Sequence, residues 1–146
     1  MRLLIFALLI TQPAFAAPFP SLTAKDLHGD AQVLPEALSQ PVSILIVGFS
    51  KGSDKACQAW EDRLWADFGS DTRVAVKTLV ELEGAPGFIV PFIVKGIKRG
   101  KLPERFASVL VLREGRQSLA ELAGYDDAAA NAAYVLLIAK SATVVW

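Results

Sequence analysis

Three short stretches, residues 42–49 (VSILIVGF), 73–80 (RVAVKTLV) and 106–112 (FASVLVL), are apolar runs rich in β-branched side chains. Runs of this kind predict strands buried on both faces, the mark of a parallel or mixed central sheet. Between the first two, Cys57, Trp60, Leu64 and Phe68 recur at spacings of three, four and four residues. That period predicts a helix over about residues 55–68 with those four side chains as its buried stripe. Glu61, Asp62 and Asp67 fall off the stripe, and Ser53 or Asp54 is placed to cap the helix start. Residues 85–98 are apolar and then basic, and Pro91 requires a helix there to start or kink at the proline. Residues 117–123 read as a short helix. Residues 133–139 (AYVLLIA) and 142–146 (ATVVW) read as a closing hairpin across Lys140 and Ser141. At the other end, residues 19–34 read as a hairpin turning at His28-Gly29-Asp30, where glycine accommodates a positive φ.

Strands alternating with helices predict an α/β fold, a sheet covered on both faces. The first helix is expected on one face and the two later helices on the other.

Residues 1–16 stand apart from this pattern. Arg2 precedes an unbroken apolar run from Leu3 to Ile10, Pro13 breaks it, and Ala14-Phe15-Ala16 places small residues where a signal peptidase reads them. This predicts a signal peptide over 1–16, cleavage between Ala16 and Ala17, and a single exported domain over 17–146, periplasmic or extracellular. The alternative, an N-terminal membrane anchor, is disfavoured because a span needs about 20 apolar residues. No Cys follows the run to serve as a lipoprotein anchor.

Composition narrows the chemistry. Hydrophobic residues make up 53% of the chain, which excludes global disorder. Fifteen basic residues balance fifteen acidic ones, so no charge excess draws the chain to nucleic acid. One Cys and one His exclude a Cys/His zinc cluster and any disulfide within the chain. No metal and no cofactor is expected. His28, the one histidine, reads as a turn residue, since a general base needs partners in space.

FPSLTAKDLHGDAQVLPEAL (residues 19–38) resembles the N-terminal hairpin of exported thioredoxin-like and peroxiredoxin-like proteins. LIVGFSKGSDKACQAW (residues 45–60) stands where those proteins have a core strand, an aromatic residue and a redox motif at a helix start. The closing stretch AYVLLIAKSATVVW resembles their strand–turn–strand ending. A narrower likeness runs through FIVPFIVKGIKRGKLPERFASVLVL, LAELAG and AAYVLLIAKSATVVW, which is similar to the mitochondrial ATP-synthase assembly-factor family and its bacterial relatives. The resemblance implies a thioredoxin-like fold: a central mixed sheet, helices on both faces, an N-terminal β-hairpin, and here no final C-terminal helix, since the sequence ends at Trp146. Apolar surface is therefore expected near Val144 and Trp146, beside the first helix and available to a protein partner or a homodimer.

The same register departs from redox chemistry at three points. Thioredoxin-type exchange needs two thiols spaced C-x-x-C at a helix start. Here the pair would be positions 54 and 57, and Asp54 replaces the attacking thiol. The family's cis-proline falls near Ala133, where an ordinary trans bond is expected. The Asp that often ends that strand is Ala139. Cys57 then has two readings. It is a buried apolar residue of the helix stripe, or it is the nucleophile of a one-cysteine thiol peroxidase or reductase. Asp54 opposes the second reading, because a nearby carboxylate raises a thiol pKa.

Lys95, Lys98, Arg99, Lys101 and Arg105 form a basic cluster beside the apolar run 88–94. It reads as a site for an acidic partner or a membrane surface, or as a core helix with a solvated basic end. The expectation is an exported thioredoxin-like protein without dithiol activity. It would serve as a binding or assembly module for another, membrane-associated protein, with the five cations and Trp146 as contact residues. The alternative is the enzyme built on Cys57. An exposed apolar or basic patch with a buried Cys57 favours the first; an open Cys57 with an Arg in reach favours the second.

Overall fold

The computed structural model describes residues 17–146, so the expected signal peptide and its cleavage site lie outside the described residues. The elements run β1 (Ala17–Pro18), β2 (Leu22–Asp26), β3 (Ala31–Leu34), β4 (Val42–Gly48), α1 (Asp54–Phe68), β5 (Val74–Glu81), α2 (Val90–Arg99), β6 (Val109–Leu112), α3 (Arg116–Ala123), β7 (Tyr134–Ala139) and β8 (Thr143–Val144). They form one mixed sheet in the order β1-β8-β7-β4-β5-β6-β2-β3. β4, β5 and β6 are parallel neighbours, and β7 and β2 flank them antiparallel.

The predicted apolar runs occupy the centre for the expected reason. Ile44 and Ile46 of β4 face α1, while Leu45 and Val47 face the other side, and all four are buried. A strand covered on both faces must be apolar at successive positions. The N-terminal hairpin turns at Gly29, whose φ is +93°, with the buried Asp26 carboxylate accepting the backbone N–H groups of His28 and Asp30.

The helices are distributed differently from the sequence expectation. α2 packs through Val94 and Ile97 against Val80, Val109 and Val111, on the same face as α1. The opposite face is covered by α3 through the fully buried Leu119, helped by Phe19, Leu34 and Leu38. The chain leading out of β3 takes the place expected of a second helix there. β6 begins only at Val109, because Pro103–Ser108 forms 3-10 turns. α2 starts at Val90 with Pro91 in its first turn, where the missing N–H is harmless.

The closing hairpin is short. Ala142 carries a φ of 61° in its turn, and β8 spans only Thr143–Val144. Val144 is buried in the α3-face core, contrary to the expected exposure, while Val145 and Trp146 are exposed. The reason is the alternation of a strand: β8 turns Val144 inward and its neighbours outward. β1, not anticipated, pairs with β8 from Ala17 onward.

Candidate functional site

The carboxyl ends of β4 and β5 lie under the start of α1, and α2 stands opposite. Between them is an open cavity of about 600 Å³. Ile89, Ile93 and Ile97 line it from the α2 side, Val80 and Leu82 from the sheet, and Cys57 from α1. α1 reaches the strand closely because Gly48 has no side chain: a Cβ there would stand 2.6 Å from Ser53 Oγ and 3.0 Å from Cys57 Sγ. A 3-10 turn over Lys51–Ser53 leads into α1. Neither Ser53 nor Asp54 makes the expected side-chain cap; the Ser53 hydroxyl donates instead to the Ser50 carbonyl at 2.6 Å.

Cys57 is the fourth residue of α1 and 8% exposed. Burial, the largest influence, pushes its thiol above the ordinary cysteine value. A hydrogen bond with Ser53 pulls it back, Asp54 raises it again, Lys101 lowers it and Glu61 raises it. The net direction is upward, so the thiol form prevails at neutral pH, and a thiol is the poorer nucleophile.

The buried face of α1 keeps Cys57 and Leu64 of the predicted stripe, with Phe68 packed beside them, and differs from it at one position. Trp60 is 43% exposed, and Glu61 is 1% exposed in the position expected for it. Glu61 is held by long-range partners. Its Oε2 accepts hydrogen bonds from Thr78 Oγ1 at 2.9 Å and Lys101 Nζ at 2.7 Å, and Arg105 Nη1 lies 3.7 Å from its Oε1. Lys101 also donates to Gln58 at 2.6 Å. Arg105 pairs with Asp62 at 3.2 Å and lies over the Trp65 ring. A carboxylate is tolerated at this depth only with such compensation.

This splits the basic cluster. Lys101 and Arg105 are spent inside the protein, tying the chain after α2 to α1. Lys98 lies over Phe106, 5.8 Å from the ring centroid. Lys95 and Arg99 are exposed on α2, with no ion pair among the described residues. Trp146 is exposed at the far edge of the sheet, on the β7–β8 side, away from α2.

A second polar assembly was not anticipated. Glu81, buried at the end of β5, borders the cavity and pairs with Arg116, whose guanidinium stacks on Phe49 and Tyr125 at 5.4 and 5.3 Å. Arg113 donates to the carbonyls of Leu82 and Ala85, fixing the loop that leads to α2. The sequence offers only one hint of it, a carboxylate ending a strand that is apolar apart from Lys77 and Thr78. His28 lies in the hairpin turn, edge-on to Phe106, and does not line the cavity that Cys57 lines. Among the described residues the one cis peptide bond is Leu34–Pro35, so the bond before Ala133 is trans. No cluster of three or more potential metal ligands is found among them, and no helix among them is long and apolar enough to cross a membrane.

No protein-family model matches this sequence, and no curated protein matches it in sequence. Solved structures do match. The thioredoxin domain of a thiol-disulfide oxidoreductase from Bacteroides vulgatus superposes with a TM-score of 0.59 at 11% identity, over 88% of this chain and 84% of that one. The fold is thioredoxin-like. BsSco, a member of the Sco family of cytochrome c oxidase assembly proteins, matches with a TM-score of 0.56 at 13% identity, over 92% of this chain and 84% of that one. An exposed lipoprotein thioredoxin from Streptococcus pneumoniae gives 0.55 at 17% identity, covering 87% of each chain. On a thioredoxin-like fold the start of α1 is where redox thiols stand, and this chain carries a single cysteine there, bordering the cavity.

Proposed function

We propose that this protein is an exported, thioredoxin-fold binding module of the assembly or chaperone type, which holds an apolar segment of a membrane-associated protein and performs no dithiol exchange. The observation that carries the reading is the cavity. Ile89, Ile93, Ile97, Val80 and Leu82 give it an apolar wall, with Lys51, Asp54 and Glu81 also lining it, and the one thiol beside it is buried and pushed toward its neutral form. Such a space takes up apolar side chains readily, and ordering them there contributes about 25 cal/mol for each Å² removed from water.

Other observations support the pieces. The neighbours include an assembly protein of the Sco family and an exposed lipoprotein thioredoxin, which suits both the role and export. The likeness of residues 88–112, 119–124 and 132–146 to ATP-synthase assembly factors supports a membrane-complex subunit as the partner. Removal of residues 1–16 by cleavage after Ala16 belongs to the same reading. Lys95, Lys98 and Arg99 are the cations free to meet a partner. Trp146, on the sheet's far edge, offers a separate contact for a partner or a second copy.

The second reading, a one-cysteine peroxidase or reductase, rests on Cys57 bordering the cavity. Against it stand the raised thiol pKa and Asp54 three residues earlier in α1. One experiment separates the two. A benzoylphenylalanine crosslinker at Ile93 should trap a membrane-protein segment in exporting cells, and Ile97→Asp should abolish the adduct. In parallel, insulin reduction by dithiothreitol should run at the uncatalysed rate, and peroxide consumption should be equal for wild type and Cys57→Ser. Cys57-dependent peroxide turnover would replace the binding reading with the enzymatic one.

A further inference from the structure

α2 presents to solvent a face that the cavity does not use. Val94 and Ile97 hold the helix on the sheet, and no residue of α2 is fully buried. Phe92, Lys95 and Arg99 recur at three and four residues and so share one helix face. Phe88, in the turn just before α2, extends that face, and Phe88 and Phe92 are 76% and 75% exposed. Two phenylalanines this open are unusual on a protein surface that meets only water. The charge around them is one-sided. Between Glu83 and Glu104 the sequence has no carboxylate and four cations, of which only Lys101 is consumed by Glu61.

We propose that this face is a docking site for an anionic lipid bilayer. The two phenylalanine rings enter the headgroup–acyl boundary while Lys95 and Arg99, with Lys98 beside them, meet lipid phosphates. An apolar end followed by a basic end is the arrangement by which interfacial helices lie on membranes: aromatic side chains settle in the boundary layer, and long cationic chains reach back to the headgroups. The charge complementarity favours a bilayer over an acidic protein, because a protein partner would have to cover two nearly free aromatic rings with a matching pocket, and a bilayer needs none. Docking here sets α2 against the membrane while the cavity on its inner side stays open.

The test reads α2 locally, so that any effect of residues 1–16 is separated from it. The full chain carrying Cys57→Ser and Phe92→Cys, labelled with a nitrobenzoxadiazole fluorophore, is titrated with phosphatidylcholine vesicles containing about 30% phosphatidylglycerol. A label at Ser118→Cys on α3 is the control. The emission at residue 92 should shift to the blue and intensify, and the label at residue 118 should stay unchanged. Pure phosphatidylcholine vesicles should produce little response. Lys95→Glu with Arg99→Glu should raise the lipid concentration for half-response by about tenfold or more, as expected for reversing two charges at an anionic surface. In a third labelled chain, carrying the fluorophore at Phe88→Cys, Phe92→Ser should weaken the response. No response at residue 92, or one that ignores the charge reversal, overturns the proposal. That outcome leaves the crosslinking of the cavity unaffected, so failure here is distinguishable from failure of the binding reading.

Discussion

On the α3 face, Leu45, Leu110 and Leu112 pack against Leu119 and Leu34 with almost no exposed surface. On the α1/α2 face the apolar contacts divide into two smaller groups, one under α1 and one under α2, with an open cavity and a buried carboxylate between them. Both faces belong to the same three parallel strands, so strand sequence does not account for the difference. The helices do. α3 is short and closes a dry core with chain segments around it. α1 is tied by Glu61 to Lys101 and Arg105 in the chain after α2, and open space remains between the two helices. One face is closed and the other leaves open space, which suits the proposed binding role on a rigid scaffold.

Substitutions should sharpen this contrast. The largest effects belong to the central buried pairings. Glu61→Ala should cost about 3–5 kcal/mol, because it leaves the buried Lys101 ammonium with only the neutral Gln58 beside it, while Arg105 keeps Asp62. The double change Glu61→Leu with Lys101→Met should recover much of that loss, since a well-packed apolar pair can replace a buried ion pair. Chemical denaturation measures both, and equal instability of the double variant would show that the ion pair does more than tie α1 to the chain after α2. Leu110→Ala on the α3 face should cost about 2–5 kcal/mol by leaving a cavity in a closed core. Ile93→Ala, on the wall of an existing cavity, should cost less than about 1 kcal/mol, because space is already there. If Ile93→Ala proves as damaging as Leu110→Ala, the two faces are not different in kind. Arg63→Ala, which removes the exposed pair with Asp67 on the outer side of α1, should change stability by only about 0.3–0.5 kcal/mol.

The same contrast explains what could be read from the sequence. The central strands were legible because burial on both faces leaves no polar positions in β4 beyond Ser43, and because the alternating helices force an α/β arrangement. The hairpin at Gly29 was legible from its turn residues. One position of the buried stripe of α1 was not, because hydrophobicity ranks Trp60 above Glu61, and the cations that make Glu61 tolerable lie about forty residues further along the chain. The face that α2 would cover was also illegible, because amphipathic pattern fixes which side of a helix is buried and says nothing about which side of a sheet receives it. At the site, the place and burial of Cys57 followed from helical spacing, whereas the Glu81–Arg116 pair depended on contacts that no local pattern encodes. The basic cluster was visible as composition, but its division into internal and external cations required the fold.

The central claim is that Cys57 marks a binding cavity and is not a working nucleophile, and its reactivity tests this directly. The rate of alkylation of the native chain by iodoacetamide, followed by mass spectrometry across a pH series, reports the thiolate fraction and the access to it. Because the folded thiol is raised above its ordinary value, mainly by burial, the reactive form should be scarce at neutral pH and should accumulate only at alkaline pH. The account predicts slow alkylation at pH 7, well below that of the unfolded chain, with a midpoint above that of a free cysteine. Rapid alkylation at pH 7 with a midpoint below that of free cysteine would contradict it and make Cys57 the centre of an enzyme.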